Sequence, residues 1–301
     1  MISVVVTTYN HGSYIREALE SVVTQNVDNL EVVVVDDGSQ DETLEIARGF
    51  ERPGFKIISK PNGGPSSALN YGVSITNGEF IVLLSGDDRL QPNSIEKRVS
   101  YLNSSKADIV SSIPLWIDGD SNYIPASGHP ALFKYYSFDD QLDLFSLLFY
   151  EGNMICAPSV AMTRKCWNTV GIFNEDLWQL QDYEYWLRAC AKNQVFCCLK
   201  ESCISYRWHG MNLSLSNRAA SEKELDDVLS TAPEWLDKGQ LVSMLWGRER
   251  QSLAGQFDVE MLRALIRIKH TRNNVRNVGK WLLRNIAKEP HQRSNLLGRL
   301  F

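Results

Sequence analysis

The chain predicts an α/β fold with a mostly parallel, doubly wound sheet, followed by a helical C-terminal region. Three observations predict it. Short β-branched apolar runs alternate with helical patterns over the first 112 residues, the signature of βαβ units. From about residue 221 onward the pattern is helical and increasingly basic. At 301 residues, 44% of them hydrophobic, the chain is long enough to bury a large core as one large domain or two smaller ones. The division is drawn at 1–220 and 221–301.

Strands are expected at Ile2 to Thr7, Leu30 to Val35, Lys56 to Ser59, Phe80 to Leu84 and Asp108 to Ser111. Between the first two, Ile15, Ala18, Leu19, Val22 and Val23 share one helical face, with Ser13 available as N-cap. "GSQDETLEIAR" and "PSSALNYGVSIT" open two further helices. Residues 113 to 150 break the rhythm with Trp116, His129 and aromatic clusters, and read as an insertion or an acceptor-side region. A strand at Ser159 to Thr163 precedes a helix carrying Tyr183, Trp186, Leu187 and Cys190 at helical spacing, with Gln181 and Asp182 at its start. "VFCCLKESCISYRWHG" reads as one strand running into Arg207 and His209.

Charge and cysteine usage exclude several classes. A net charge of −5 and a pI near 5.6 argue against a dedicated nucleic-acid binder, which would normally carry a basic surface. The balance is uneven, because residues 240 to 301 carry 12 Lys and Arg against 4 Asp and Glu. The six cysteines form no CxxC pair and no zinc-like group with histidines, so they read as reduced core thiols. No signal-peptide pattern and no run long enough to span a membrane is found, which gives a cytoplasmic expectation with peripheral membrane contact open.

In doubly wound sheets the carboxyl ends of the strands form the ligand crevice. That rule gathers three stretches: "TTYN" after the first strand, "VDDGS" after the second and "SGDD" after the fourth. Two pairs of adjacent carboxylates, Asp36-Asp37 and Asp87-Asp88, in one crevice would repel unless a cation joined them. A divalent ion that keeps waters and bridges substrate phosphates resolves that repulsion. The dinucleotide and P-loop alternatives need a glycine-rich first turn, and "TTYNHGSY" has neither GxGxxG nor GxxxxGK[ST].

"VVVTTYNHGSYIREALESVVTQNVDNLEVVVVDDGSQDET", "NGGPSSALNYGVSITNGEFIVLLSGDD" and "LQDYEYWLRA", in that order over roughly residues 2 to 215, resemble the successive blocks of family 2 glycosyltransferases, which have the GT-A fold. The resemblance implies an inverting transfer from a nucleotide diphosphate sugar, UDP-linked by the fit of Asp37 to the N3–H of uracil, to a saccharide or lipid-linked saccharide hydroxyl, with Mg²⁺ or Mn²⁺. It implies Thr7 and Tyr9 in the nucleotide pocket, Asp37 on the base, Asp87 on the ribose, Asp88 on the metal, and Asp182 as catalytic base. His209, in "YRWHGMNLS", resembles a late block whose His approaches the metal. The setting is cell-surface polysaccharide assembly of bacterial type.

The chain departs from the family pattern at three places. Ser85 stands where Asp is frequent, Leu69 stands where a donor-side Arg is frequent, with Lys60 as a candidate substitute, and Gln181 precedes Asp182 where Glu is usual. These departures carry the alternative of a catalytically silent nucleotide-sugar-binding or scaffold protein. A metal-dependent nucleotidyltransferase is a weaker alternative, since it would need a basic, glycine-rich phosphate loop. The region "VRNVGKWLLRNIAKEPHQRSNLLGRLF" alternates cations with apolar residues at helical spacing, a pattern that suits either an anionic membrane surface or a solvated cap.

Overall fold

A computed structural model describes residues 1–125, 133, 138–213 and 217–286. Ten strands are described: β1 (Ile2–Thr8), β2 (Leu30–Asp36), β3 (Phe55–Ser59), β4 (Phe80–Ser85), β5 (Arg89–Leu90), β6 (Ile109–Ser112), β7 (Leu115–Ile117), β8 (Ala161–Thr163), β9 (Phe196–Leu199) and β10 (Ile204–Arg207). Eleven α-helices are described with them: α1 (Ile15–Val23), α2 (Thr43–Arg48), α3 (Gly64–Ser74), α4 (Ser94–Ser105), α5 (Gln141–Glu151), α6 (Arg164–Val170), α7 (Gln181–Ala191), α8 (Arg218–Thr231), α9 (Lys238–Trp246), α10 (Val259–Lys269) and α11 (Asn273–Ile286). His129 lies outside the described residues.

Seven strands form the main sheet in the order β3-β2-β1-β4-β8-β6-β9. The pairs β1/β2, β1/β4, β2/β3 and β6/β9 are parallel, while β8 runs antiparallel to β4 and β6. The central strand β1 is buried throughout Val4, Val5 and Val6. Each such side chain removed from water contributes roughly 1.5–3 kcal/mol, which explains why a run of valines belongs at the sheet centre. Register then aligns the strand ends: Thr7 faces Val35 and Ser85, and Thr8 faces Asp36. The polar residues beyond three different strands are thereby delivered to one edge.

Several expectations change in detail. Helix α1 starts at Ile15 with Tyr14 at the cap position and no side-chain cap bond, so Ser13 does not cap it, and Val23 lies outside the buried face. The strand expected from Ser159 begins at Ala161, after a 3₁₀ turn over Ala157–Ser159. The single strand expected through "VFCCLKESCISYR" is two strands: β9 joins the main sheet, and β10 joins a separate three-stranded sheet in the order β5-β10-β7. The small sheet pairs β10 antiparallel with β5, just after Asp88, and so carries the 204–209 segment back over the strand ends.

Helices α8 to α10 share the core of the main sheet. One buried cluster runs from Val5 and Ile81 through Tyr183, Trp186 and Leu187 to Leu229, Leu241, Leu262 and Ile266. Residues on both sides of position 220 thus contribute to one buried cluster. All six cysteines are free, and four of them are buried. Among the described residues no helix is long and apolar enough to cross a membrane.

Candidate active site

The carboxyl ends of β1 and β4, the start of α7 and the strand β10 enclose a cavity of about 420 Å³. Thr7, Leu69, Asp87, Asp88, Asn153 and Asp182 line it. Candidates from three distant stretches are thus brought to one space, and Tyr9, 43% exposed, stands after the end of β1.

Backbone geometry at the end of β4 is tight. The Gly86 N–H donates to the carbonyl of Thr7, and a Cβ at this position would sit 2.4 Å from Thr8 Oγ1. Only glycine lets the two strand ends approach this closely. Asp87 and Asp88 come next, and they face different partners. Asp87 Oδ2 lies 3.1 Å from His209 Nε2 and 3.7 Å from His11 Nε2. Burial opposes its charge, but His11, His209 and the Ser85 hydroxyl hold it well below the usual carboxylate range.

Asp88 lines the same cavity with other partners. Its Oδ1 accepts the Arg207 backbone N–H at 2.8 Å, and its Oδ2 is buried without a partner among the described residues. Burial, with the Asp87 charge beside it, pushes its carboxyl well above the ordinary range. The sequence assigned Asp88 and His209 together to a metal; in the structure His209 is bonded to Asp87, while β10 meets Asp88 through the Arg207 N–H two residues earlier and leaves Asp88 Oδ2 without a partner among the described residues.

Arg207, 1% exposed, locks this arrangement. Its Nε donates to the Asp87 carbonyl at 2.7 Å, Nη1 donates to Ser121 Oγ at 2.8 Å, and Nη2 pairs with Glu17. The sequence singled out the position only as the end of a strand. His11 and Asn153 also went unrecognised; His11 carried the weak signal of lying in the turn after the first strand.

Asp37 is buried, and its acceptors are largely in use. Lys60 Nζ approaches Oδ1 at 2.7 Å, and the N–H groups of Gly63 and Gly64 donate to the carboxylate at 3.1 and 2.8 Å. Gly64 has φ +87°, and a Cβ there would meet the Trp178 ring at 3.2 Å. Asp37 therefore shapes the 60–64 turn through these bonds. Lys60, the candidate substitute for the missing Arg, spends its charge on Asp37.

Asp182 sits in the first turn of α7 and opens partly to the cavity. Its Oδ1 accepts the Tyr183 N–H at 2.7 Å and its Oδ2 accepts from Asn153 Nδ2 at 3.1 Å. No cation pairs with it in these bonds, and burial raises its pKa to about 6. The neighbouring Glu184 is bound by the Arg188 guanidinium at 2.7 and 2.8 Å, and Trp186 is wholly buried in the core. Trp178 is 47% exposed.

Among the described residues no group of three or more His, Cys, Asp or Glu side chains is arranged to hold a metal ion. A carboxylate and an imidazole at Asp87 and His209 nevertheless fit a cation that takes its other ligands from phosphate and water, the usual mode for Mg²⁺.

The mostly parallel seven-stranded sheet with flanking helices and a helical C-terminal region is a GT-A type fold. The family model described as glycosyl transferase family 2 matches residues 3–167, and the chain belongs to that family. The match ends before Asp182 and His209. An uncharacterized glycosyltransferase of Rickettsia prowazekii is 31% identical over 261 residues, covering 84% of this chain and 78% of that protein. Another from Rickettsia felis is 37% identical over 196 residues, covering 62% of this chain; the matched part spans 31% of that longer protein. A chondroitin synthase of Pasteurella multocida is 30% identical over 226 residues, covering 74% of this chain and 22% of that protein. Among solved structures, S. aureus TarS 1–349 in complex with UDP-GlcNAc has a TM-score of 0.64 at 18% identity, covering 97% of this chain and 92% of that one. The same fragment in complex with UDP has a TM-score of 0.55 at 19% identity, covering 88% and 89%.

Proposed function

We propose that this protein transfers a sugar from a UDP-sugar to a saccharide hydroxyl, with inversion at the anomeric carbon. The observation that carries the reading is that one cavity holds two kinds of carboxylate: Asp87, kept ionised by imidazoles, and Asp182, raised to about 6 with no cation beside it. Structural neighbours bound to UDP and UDP-GlcNAc, and relatives named chondroitin and hyaluronan synthase, support the donor class and a role in polysaccharide assembly.

Asp87 and His209 are the residues that would hold a divalent ion, with Asp88 supporting the turn through Arg207. Such an ion, when bound, neutralises charge on the departing diphosphate. Thr7 and Tyr9 line the nucleoside end, and Asp37 shapes it through the 60–64 turn. Asp182 takes the proton from the incoming hydroxyl at a carboxylate oxygen, a step that contributes typically 10²–10⁴-fold. Removal of that proton on the face opposite the leaving diphosphate gives direct displacement and inversion. An intact Asp182 facing the cavity opposes the silent scaffold reading.

A place at the cytoplasmic face of a membrane belongs to the same reading. The apolar side of α11 is already used, since Val275 and Gly279 are buried. Arg276, Lys280, Arg284 and an exposed Trp281 remain for an anionic surface, and α11 contains no Asp or Glu.

The reading is tested by incubating the protein with UDP-GlcNAc and Mn²⁺ and measuring UDP release, with water or an oligosaccharide as acceptor. Release of UDP with a β-configured sugar product, read by NMR, is expected. An α-configured product contradicts inversion, and tight UDP-GlcNAc binding with no release of UDP contradicts transferase activity with this donor.

A further inference from the structure

Three backbone amides just before the start of α7 converge on one side chain from a different helix. The Trp178 N–H donates to Glu224 Oε1 at 3.0 Å, and the N–H groups of Gln179 and Leu180 donate to Oε2 at 2.8 and 3.0 Å. Leu180 occupies the cap position of α7 and has no side chain able to cap it. Glu224 of α8 thus satisfies the N–H groups of the three residues that lead into α7, while the N–H of Tyr183 inside the first turn is taken by Asp182 itself. Bonds to an ionised acceptor are roughly twice as strong as neutral ones.

The segment leading to Asp182 is held at both ends. At its beginning, Asn70 of α3 bonds Phe173 in both directions, and Ser66 Oγ donates to the Asn174 carbonyl at 2.8 Å. At its end stands Glu224. Helix α8 is itself fixed independently: Val228 and Leu229 are buried, and Arg272 binds Glu222 and Asp226 at 2.6 and 2.7 Å.

We propose that Glu224 is a positioning residue for the Asp182 carboxylate, fixing through the 178–180 backbone where α7 begins and hence where Asp182 faces the cavity. The inference rests on the reading of Asp182 as base. The three amides lie near the surface, so water can replace Glu224 and the fold survives its loss. What is lost is placement, and misplacement by about 1 Å can cost roughly 10²-fold in rate.

The test compares Glu224→Ala, Glu224→Gln, Asp182→Asn and the double variant Asp182→Asn/Glu224→Ala. Calorimetry gives UDP affinity, hydrolysis of UDP-GlcNAc gives turnover, and hydrogen exchange reports on the amides of 178–180. Glu224→Ala is expected to lower turnover by about tenfold to 100-fold, to leave the UDP Kd within about twofold and to speed exchange of the three amides. Glu224→Gln keeps one oxygen for Gln179 and Leu180 and should fall between. In the Asp182→Asn background Glu224→Ala should cost nothing further. Unchanged turnover in Glu224→Ala, the same loss in the Asp182→Asn background, or parallel loss of UDP affinity and turnover overturns the inference. If Glu224→Ala does not fold, Glu224→Gln decides by the same criteria. Asp182→Asn turning over at the unmutated rate overturns the base reading instead, whatever Glu224 does.

Discussion

The two ends of the cavity use the same residue type in opposite ways. At the strand-end side Asp37 is paired with Lys60, and Asp87 lies between His11 and His209. These carboxylates are surrounded by donors and cations. Across the cavity the partners of Asp182 among the described residues are neutral, the Asn153 amide, the Tyr183 N–H and the Trp186 indole among them, and burial raises its pKa to about 6. The difference teaches that partners, not the residue type, decide whether a carboxylate is a fixed anion or a group that exchanges a proton near neutral pH.

The sharpest way to break the comparison is to neutralise each side in turn. Asp182→Asn should lower UDP-GlcNAc turnover by about 10²–10⁴-fold with UDP affinity retained. Glu184→Gln and Asp176→Asn should lose far less, since Glu184 serves Arg188 and Asp176 is exposed at the surface. A dead Glu184→Gln beside an active Asp182→Asn would move the base to Glu184.

On the strand-end side the expected losses are in binding. Asp87→Asn should weaken Mn²⁺-dependent UDP binding by about 100-fold, the upper end of what losing even a residue behind the ligands costs. Asp88→Asn, which keeps an acceptor for the Arg207 N–H, should retain most of that binding. The reverse ranking, read by calorimetry with and without Mn²⁺, would return the ion to Asp88.

A stability measurement sharpens the contrast further. Because the folded pKa of Asp182 is raised above its unfolded value, the fold favours the protonated acid. The stabilisation is full below about pH 4 and is lost as pH rises through about 6, a swing of at most ~3 kcal/mol. Asp182→Asn should therefore raise the melting temperature at pH 8 relative to the unmutated protein, and the gain should vanish at pH 4. An equal shift at both pH values would mean that Asp182 carries no burial penalty. The smallest effect is expected at Lys60→Ala, which loosens the 60–64 turn and should weaken UDP by about 1 kcal/mol; unchanged UDP affinity would separate that turn from the nucleoside end.

Much of the site was legible in the sequence because it is local. A valine run must be a buried strand, and the polar residues directly after it must emerge at the sheet edge, so the run alone gathers Thr7, Asp37, Asp87 and Asp88. Helical spacing likewise placed Asp182 at the start of α7. What the sequence does not carry is the partner of each side chain in irregular backbone. Asp87 and Asp88 are adjacent and line one cavity but take different partners, and the path of β10 decides that His209 meets Asp87. The break between β9 and β10 falls on Lys200, Glu201 and Ser202, a short polar interruption between two apolar runs that one continuous strand passes over. Arg207, Asn153 and Glu224 were illegible for another reason: each acts through contacts across long sequence separations, and a Glu in a polar helix such as "SEKELDD" carries no local mark.

The central claim is that Asp182 titrates near pH 6 and must be ionised for transfer. It is tested most directly by the pH dependence of the single-turnover rate with UDP-GlcNAc and Mn²⁺ both saturating. The account predicts a rate that rises about tenfold per pH unit up to an apparent pKa near 6 and is flat above it, with this limb absent from the residual rate of Asp182→Asn. A rate independent of pH between about 4.5 and 8, in a protein still saturated with donor, would contradict it.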